Sequence, residues 1–369
     1  MKLSLSTIEL LTQLQATTRV ASSRASIQAL SGVMISAEGE TPLLLATDME
    51  IGLRVPLNGE IVNPGSAVLP ARLFLEVVRS LPEDTVTLEL RPREQDVELI
   101  SGSAKFHLRT LRSEDFPQLP SSDPASRMTL PAQAFVETAT QVSTSASRDE
   151  TRPVLTGVLI SAGGQELTMV ATDSYRLSVK HTTLDTALES TIEANVPARA
   201  LQELARIAQS IEQPELTISL GQNQVVFEVG EIVLSSRLID GQFPNYRQLL
   251  PESVEHELRL ASAEITDVVR RISLLAQKNA PLRLSFSEGE LTVSAQTPDV
   301  GEASEMLPVP FSGEPFEIGF NPEFLRDGLE SVESEELVLK LISPLRPGLI
   351  ESPDGGGFVY LIMPIRLNT

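Results

Sequence analysis

Apolar positions along the chain fall into two rhythms that alternate. In "STIELLTQLQATT" the residues Ile8, Leu11 and Leu14 recur three apart, which predicts an amphipathic helix over residues 6–19, preceded by a short strand "KLSL". Strict alternation of apolar and polar positions then predicts strands around 28–37, 43–47 and 50–56. A turn at "NPGS" is followed by another strand, a helix over 71–80, and strands around 85–90, 96–101 and 104–111. Pro70 stands just ahead of the second helix, where a missing N–H costs no hydrogen bond. The helical rhythm returns over 132–148, 198–211, 263–278 and 322–331, so six helices are expected in all.

The order of elements repeats, and so does the text. "GVMISAEG" at 32–39 returns as "GVLISAGG" at 157–164, "LATD" at 45–48 as "VATD" at 170–173, and "LPARLF" at 69–74 as "VPARAL" at 196–201. "DFPQLP" near 116 is answered by "QFPNYRQLLP" near 243. A more diverged third copy has "LRLASAEITDVVRRISLLAQ", then "LTVSAQT" where the ATD strands stood, then "IGFNPEFLRDGL". Repeats in constant order at nearly constant offset predict duplicated domains. The Pro- and Ser-rich stretches "FPQLPSSDPAS" and "FPNYRQLLPES" give the boundaries: 1–121, 127–251 and 255–369. Each third is two helices against antiparallel sheet, so the expected fold class is α+β in three tandem copies.

Composition narrows the chemistry. The 369 residues include no cysteine, which removes disulfides, thiolate metal sites and cysteine nucleophiles. His107, His181 and His256 show no ligand spacing, so neither metal nor cofactor is expected. The N-terminus lacks the apolar run of a secretory signal and no segment approaches the ~20 apolar residues of a membrane span, so a cytoplasmic protein is predicted, with no membrane partner.

Two ATD copies invite a two-lobed acid hydrolase built on Asp48 and Asp173, but Met49 and Ser174 stand where such enzymes need glycine. The expected role of each Asp is to cap its own strand-end turn. "DGGGF" at 354–358 lacks the lysine and hydroxyl of a phosphate loop and reads as a hairpin turn, and the serine-rich stretches have no histidine base nearby. No enzyme is indicated. Formal net charge is −21, yet the six predicted helices carry ten basic and nine acidic residues. The acid therefore lies in strands and loops, leaving the helices near neutral.

At this point the residues resemble a family. "ATDSYRL" at 171–177, "FPNYR" at 243–247 and the terminal "VYLIMPIRL", within three tandem units, are similar to the bacterial DNA sliding clamps, the beta subunits of DNA polymerase III. The resemblance runs the whole length of the chain. It implies a head-to-tail homodimer closed into a six-domain ring around double-stranded DNA, with helices lining the hole. Twelve helices ~10 Å apart give a ring of axes ~38 Å across and a hole of ~28 Å, wide enough for a duplex. Near-neutral helices inside an acidic shell suit a protein that encircles DNA and slides on it.

Carried onto this chain, the resemblance implies DNA contacts at Arg24, Arg148 and Arg152; the helix arginines Arg72, Arg79, Arg199 and Arg206 join them as candidates. The closing interface would use Lys105, Phe106 and Leu108 on an edge strand, and Leu274 and Leu275 on a helix. Arg91, Arg93 and Lys105 would face Asp299, Glu302 and Glu305. A pocket between the second and third domains would take short linear peptides from the replicative polymerase, the clamp loader, other polymerases and repair proteins. Its residues would be Leu155, Thr172, Tyr175, Arg176, Leu177, Pro244, Leu249, Leu361, Met363, Pro364 and Arg366. Tyr175 stands where the family often has histidine, and Gln248 where it often has a second basic residue.

Overall fold

The computed structural model describes residues 1–22, 27–121, 127–211, 213–276, 280–353 and 356–367. Arg24, Lys278 and part of the expected turn at 354–358 lie outside these residues. Among the described residues there are six α-helices: α1 (Thr7–Val20), α2 (Ala71–Arg79), α3 (Ala132–Ser143), α4 (Ala198–Ser210), α5 (Ser262–Ser273) and α6 (Pro322–Glu330). All six fall where the sequence pattern places them. No helix among the described residues is long and apolar enough to cross a membrane.

Three local readings are corrected. In α1 the buried stripe is Leu10, Leu14, Thr17 and Val20, whereas Ile8 is exposed. The true face follows the i, i+4, i+7 spacing and includes Thr17, whose hydroxyl satisfies itself on the Gln13 carbonyl at 2.9 Å. Residues 28–31 form a 3-10 turn, and the strand is only Gly32–Ser36. Finally, α3 and α5 end at Ser143 and Ser273, short of the expected 148 and 278. After Ser143 the hydroxyls find other partners, with Ser145 on Ser178 at 2.6 Å. After Ser273 the amides of Leu274 and Leu275 fold back to the carbonyls of Arg271 and Ile272, tightening the last turn. Leu274 and Leu275 therefore follow a helix and are not on it.

The chain divides into two compact units, one of residues 1–135 and 203–238, the other of 136–202 and 239–369. The first unit holds a five-stranded antiparallel sheet, in the order Gly59–Asn63, Lys2–Ser6, Thr85–Arg91, Asp96–Ser101, Ala104–Arg109. It also holds an eight-stranded sheet in which the middle repeat's Ile232–Arg237 pairs with the first repeat's Ile51–Pro56. The second unit has a four-stranded sheet ending in Gly301–Pro308, and a six-stranded sheet in which Arg176–Pro197 pairs with Phe358–Ile362. Strand pairing from one repeat to the next is why the division falls inside the middle repeat.

Each unit packs its helices on the apolar faces of its sheets. In the first, Leu3, Leu10, Leu14, Leu44 and Phe74 are fully buried; in the second, Leu282, Phe286, Val293, Phe320 and Tyr360 are. Each such side chain contributes about 1.5–3 kcal/mol of transfer free energy, which the ordering of the chain largely offsets.

Candidate functional site

The repeated Ala-Thr-Asp is a turn built twice from the same bonds. Thr172 donates its hydroxyl to the Arg176 carbonyl at 2.7 Å, and Asp173 Oδ1 accepts the amides of Tyr175 and Arg176 at 2.9 and 3.0 Å. In the first copy Thr47 bonds the Ile51 carbonyl at 2.8 Å, while Asp48 Oδ1 takes the amides of Glu50 and Ile51 at 3.0 and 2.8 Å. Ser174 and Met49 both adopt positive φ, 81° and 77°, a conformation that the Thr and Asp bonds sustain without glycine. Both carboxylates thus serve their own backbone, as expected from the sequence.

Only the second copy carries more. The Arg176 guanidinium is buried and meets Asp173 at 3.0 Å, Asp327 of α6 at 2.6 Å and the Thr144 carbonyl at 2.8 Å. It also lies over the Phe324 ring, 4.3 Å from its centre. Burial disfavours the charged form, but the Tyr360 oxygen and the carboxylates of Asp327 and Asp173 outweigh it, so its pKa stands above the ordinary guanidinium value. Tyr360 donates its hydroxyl to the Phe324 carbonyl at 2.7 Å, and burial raises its pKa against the pull of Arg176. The first copy has Ile51 in place of Arg176, and Gly52, where an added Cβ would meet Leu119 Cδ2 at 2.9 Å.

Beside this network some of the residues expected of a pocket come together. Leu177 pairs with Leu361, Arg176 with Ile362, and the Met363 amide donates to the Tyr175 carbonyl at 2.9 Å. Leu177 and Leu361 are buried in one cluster with Val170, Tyr246 and Leu349. Tyr175, Leu249 and Met363 stay 61, 50 and 40% exposed. Tyr175 stacks on Phe324 with ring centres 6.5 Å apart. Leu155 is buried, Thr172 is buried under the turn, and Pro244, Pro364 and Arg366 stand at or near the surface. Phe324 and Asp327 were not singled out from the sequence; their separation from the 171–177 turn hides them.

Two sheets end in exposed edges. Ala104–Arg109 closes the five-stranded sheet, with Lys105 exposed, Phe106 half-buried and Leu108 buried. Gly301–Pro308 closes the four-stranded sheet, with Glu302 and Met306 exposed. Near it Leu274 is 83% exposed, and Leu275 is half-buried with its carbonyl accepting from Thr297 at 2.6 Å. Two of the charges expected to meet across an interface, Arg91 and Glu305, are engaged within their own unit. Arg91 holds Asp96 through two bonds of 2.9 and 2.7 Å, and Arg271 holds Glu305 at 3.0 and 2.6 Å. Those bonds keep the carboxyls of Asp96 and Glu305 below the usual carboxylate range.

The helix arginines are presented in pairs. Arg72 and Arg79 of α2, and Arg199 and Arg206 of α4, are each seven apart and exposed, hence on one helical face. Arg206 is held by Glu203. Arg148 is exposed, and Arg152 donates to Asp149 at 3.0 Å and to Ser174 at 3.1 Å.

Comparison with known proteins matches these features to one family. Models of the N-terminal, central and C-terminal domains of the DNA polymerase III beta subunit match residues 1–120, 129–245 and 247–366. The chain is 32% identical over 349 residues to the beta sliding clamp of Streptomyces coelicolor, covering 92% of each. It is also 32% identical over 378 aligned positions to that of Synechococcus elongatus, covering all of both. A solved DNA polymerase sliding clamp from Bacillus subtilis superposes with a TM-score of 0.89 at 29% identity over the full length of both chains.

Proposed function

The chain belongs to the bacterial DNA polymerase III beta-subunit family, and on that premise we propose that it is a sliding clamp, a processivity factor that encircles duplex DNA and tethers the replicative polymerase. The observation that carries this reading is the succession of three matched domains, in order, along residues 1–366.

We infer that two protomers close head to tail into a six-domain ring. Ala104–Arg109 of one would lie beside Gly301–Pro308 of the other, each completing an edge whose backbone groups otherwise face water. Phe106, Leu108, Leu274 and Leu275 would supply apolar contact, with Lys105, Glu302 and Glu305 at the rim fixing orientation. The domains proposed are 1–121, 127–251 and 255–369.

The Tyr175, Leu249 and Met363 surface would receive short linear peptides from the polymerase, the clamp loader and repair proteins. Arg176 would work from beneath, holding the 173–176 turn against α6 so that Tyr175 is preorganised. Arg72, Arg79, Arg148, Arg152, Arg199 and Arg206 would face the duplex, giving weak contacts to phosphate that salt ions can replace. The protein performs no chemistry in this scheme: binding and topology suffice, and we place it in the cytoplasm beside the chromosome.

The test is primer extension on a long circular template by polymerase and clamp loader. Addition of this protein is expected to lengthen products per binding event, and unchanged product length would refute the proposal.

A further inference from the structure

Glu203 is out of place on a surface meant for DNA. It is 5% exposed on α4, flanked by buried Leu201 and Leu204. A lone carboxylate there would be costly, and it is paired with two guanidinium groups. Its Oε2 accepts Arg19 Nε at 2.7 Å from the last turn of α1, and its Oε1 accepts Arg206 Nη1 from one turn further along α4. The first and second repeats each contribute one arginine. The two arginines border a groove of 250 Å³ whose floor is Val55 and Ile232 and whose walls include Thr12, Ala16 and Ile207. That groove opens between two helices on the helical face of the eight-stranded sheet.

A carboxylate and a phosphodiester are alike to a guanidinium: both are anionic oxygen acceptors that take N–H groups in similar geometry. Glu203 therefore already occupies the role a DNA phosphate would play. Two positive charges and one negative leave a local charge of about +1 where the arginines alone would give about +2, and a phosphate must share or displace an existing bond.

We propose that Glu203 is a positioning residue that presents Arg19 and Arg206 as one pair across the α1–α4 groove and, as a tethered stand-in for phosphate, limits how tightly that pair holds the DNA backbone. The consequence is low friction in sliding. This rests on the helical face lining the DNA passage, as proposed above.

The experiment tracks assembled rings on single duplexes with either blocked or free ends, at about 50 and 200 mM salt. Wild type, Glu203→Gln, Arg206→Gln and the double variant are compared. Glu203→Gln is expected to diffuse about two- to fivefold more slowly at low salt, with the gap narrowing at high salt. The double variant, which restores the local charge, is expected to return to wild-type speed, and Arg206→Gln alone to slide at least as fast. Glu203→Gln moving at or above wild-type speed would overturn the inference. Should that variant not assemble, slower sliding by Arg206→Gln would overturn it instead. Wild-type rings lost equally from blocked and free DNA would strike the clamp reading itself, a separable outcome.

Discussion

Arg176 and Asp327, 151 positions apart in the chain, meet at 2.6 Å and tie the 171–177 turn to α6. Removing one partner of a mostly buried pair leaves the other charge poorly compensated. Asp327→Ala is expected to cost about 2–4 kcal/mol of stability, because Asp173 retains part of the compensation. It should also weaken peptide binding, since Tyr175 stands on that turn. Urea unfolding and peptide calorimetry check both effects; a wild-type midpoint would contradict the structural role.

Tyr175→Ala and Met363→Ala should separate binding from folding. Both side chains reach solvent, so the melting temperature should change little while peptide affinity falls about tenfold or more. Deleting everything from Met363 onward is a poorer test. The Ile365 amide donates to the Gly319 carbonyl at 2.7 Å, and Leu367 packs so closely that a Cβ on Gly319 would meet its Cδ2 at 2.6 Å. Truncation should therefore lower stability as well as binding.

The edge strands make a prediction about mass. Leu274→Asp, at a position already in solvent, and Phe106→Asp should shift sedimentation from dimer toward monomer. Leu274→Asp should leave the circular-dichroism melt of the monomer unchanged. A wild-type sedimentation profile for both would refute the interface.

These residues also mark what the sequence could disclose. The repeat was legible because turn chemistry is local: Thr172 reaches only to Arg176, and Asp173 only two and three residues on. Helix positions were legible from periodicity, and the three domain models match the same succession of repeats. The ends of α3 and α5 were not legible, since Ser145 finds Ser178 only once strands are paired. The buried face of α1 was not legible from the Ile8, Leu11 and Leu14 spacing, since it runs through Leu10 and the polar Thr17. The ion pairs that organise the site join residues with no sequence signature. Arg19 and Glu203 are 184 apart, and Arg271 and Glu305 are 34 apart.

Acid should act on Asp96. Its carboxyl is held below the usual range by the Arg91 hydrogen bonds. A depressed folded pKa contributes stability that is fully present above the unfolded value of about 3.9 and is lost as pH falls through the folded value. A side-chain NMR titration should show Asp96 ionising below that figure in the wild type and near it in Arg91→Ala. Coincident titrations in the two proteins would contradict the assignment.

Encirclement is tested most directly by topology. Rings assembled on nicked circular DNA should co-elute with it through gel filtration at about 150 mM salt, where backbone contacts alone are weak. Cutting the circle once should release them. Equal retention on circular and linear DNA would mean that the protein holds DNA by affinity and not by surrounding it.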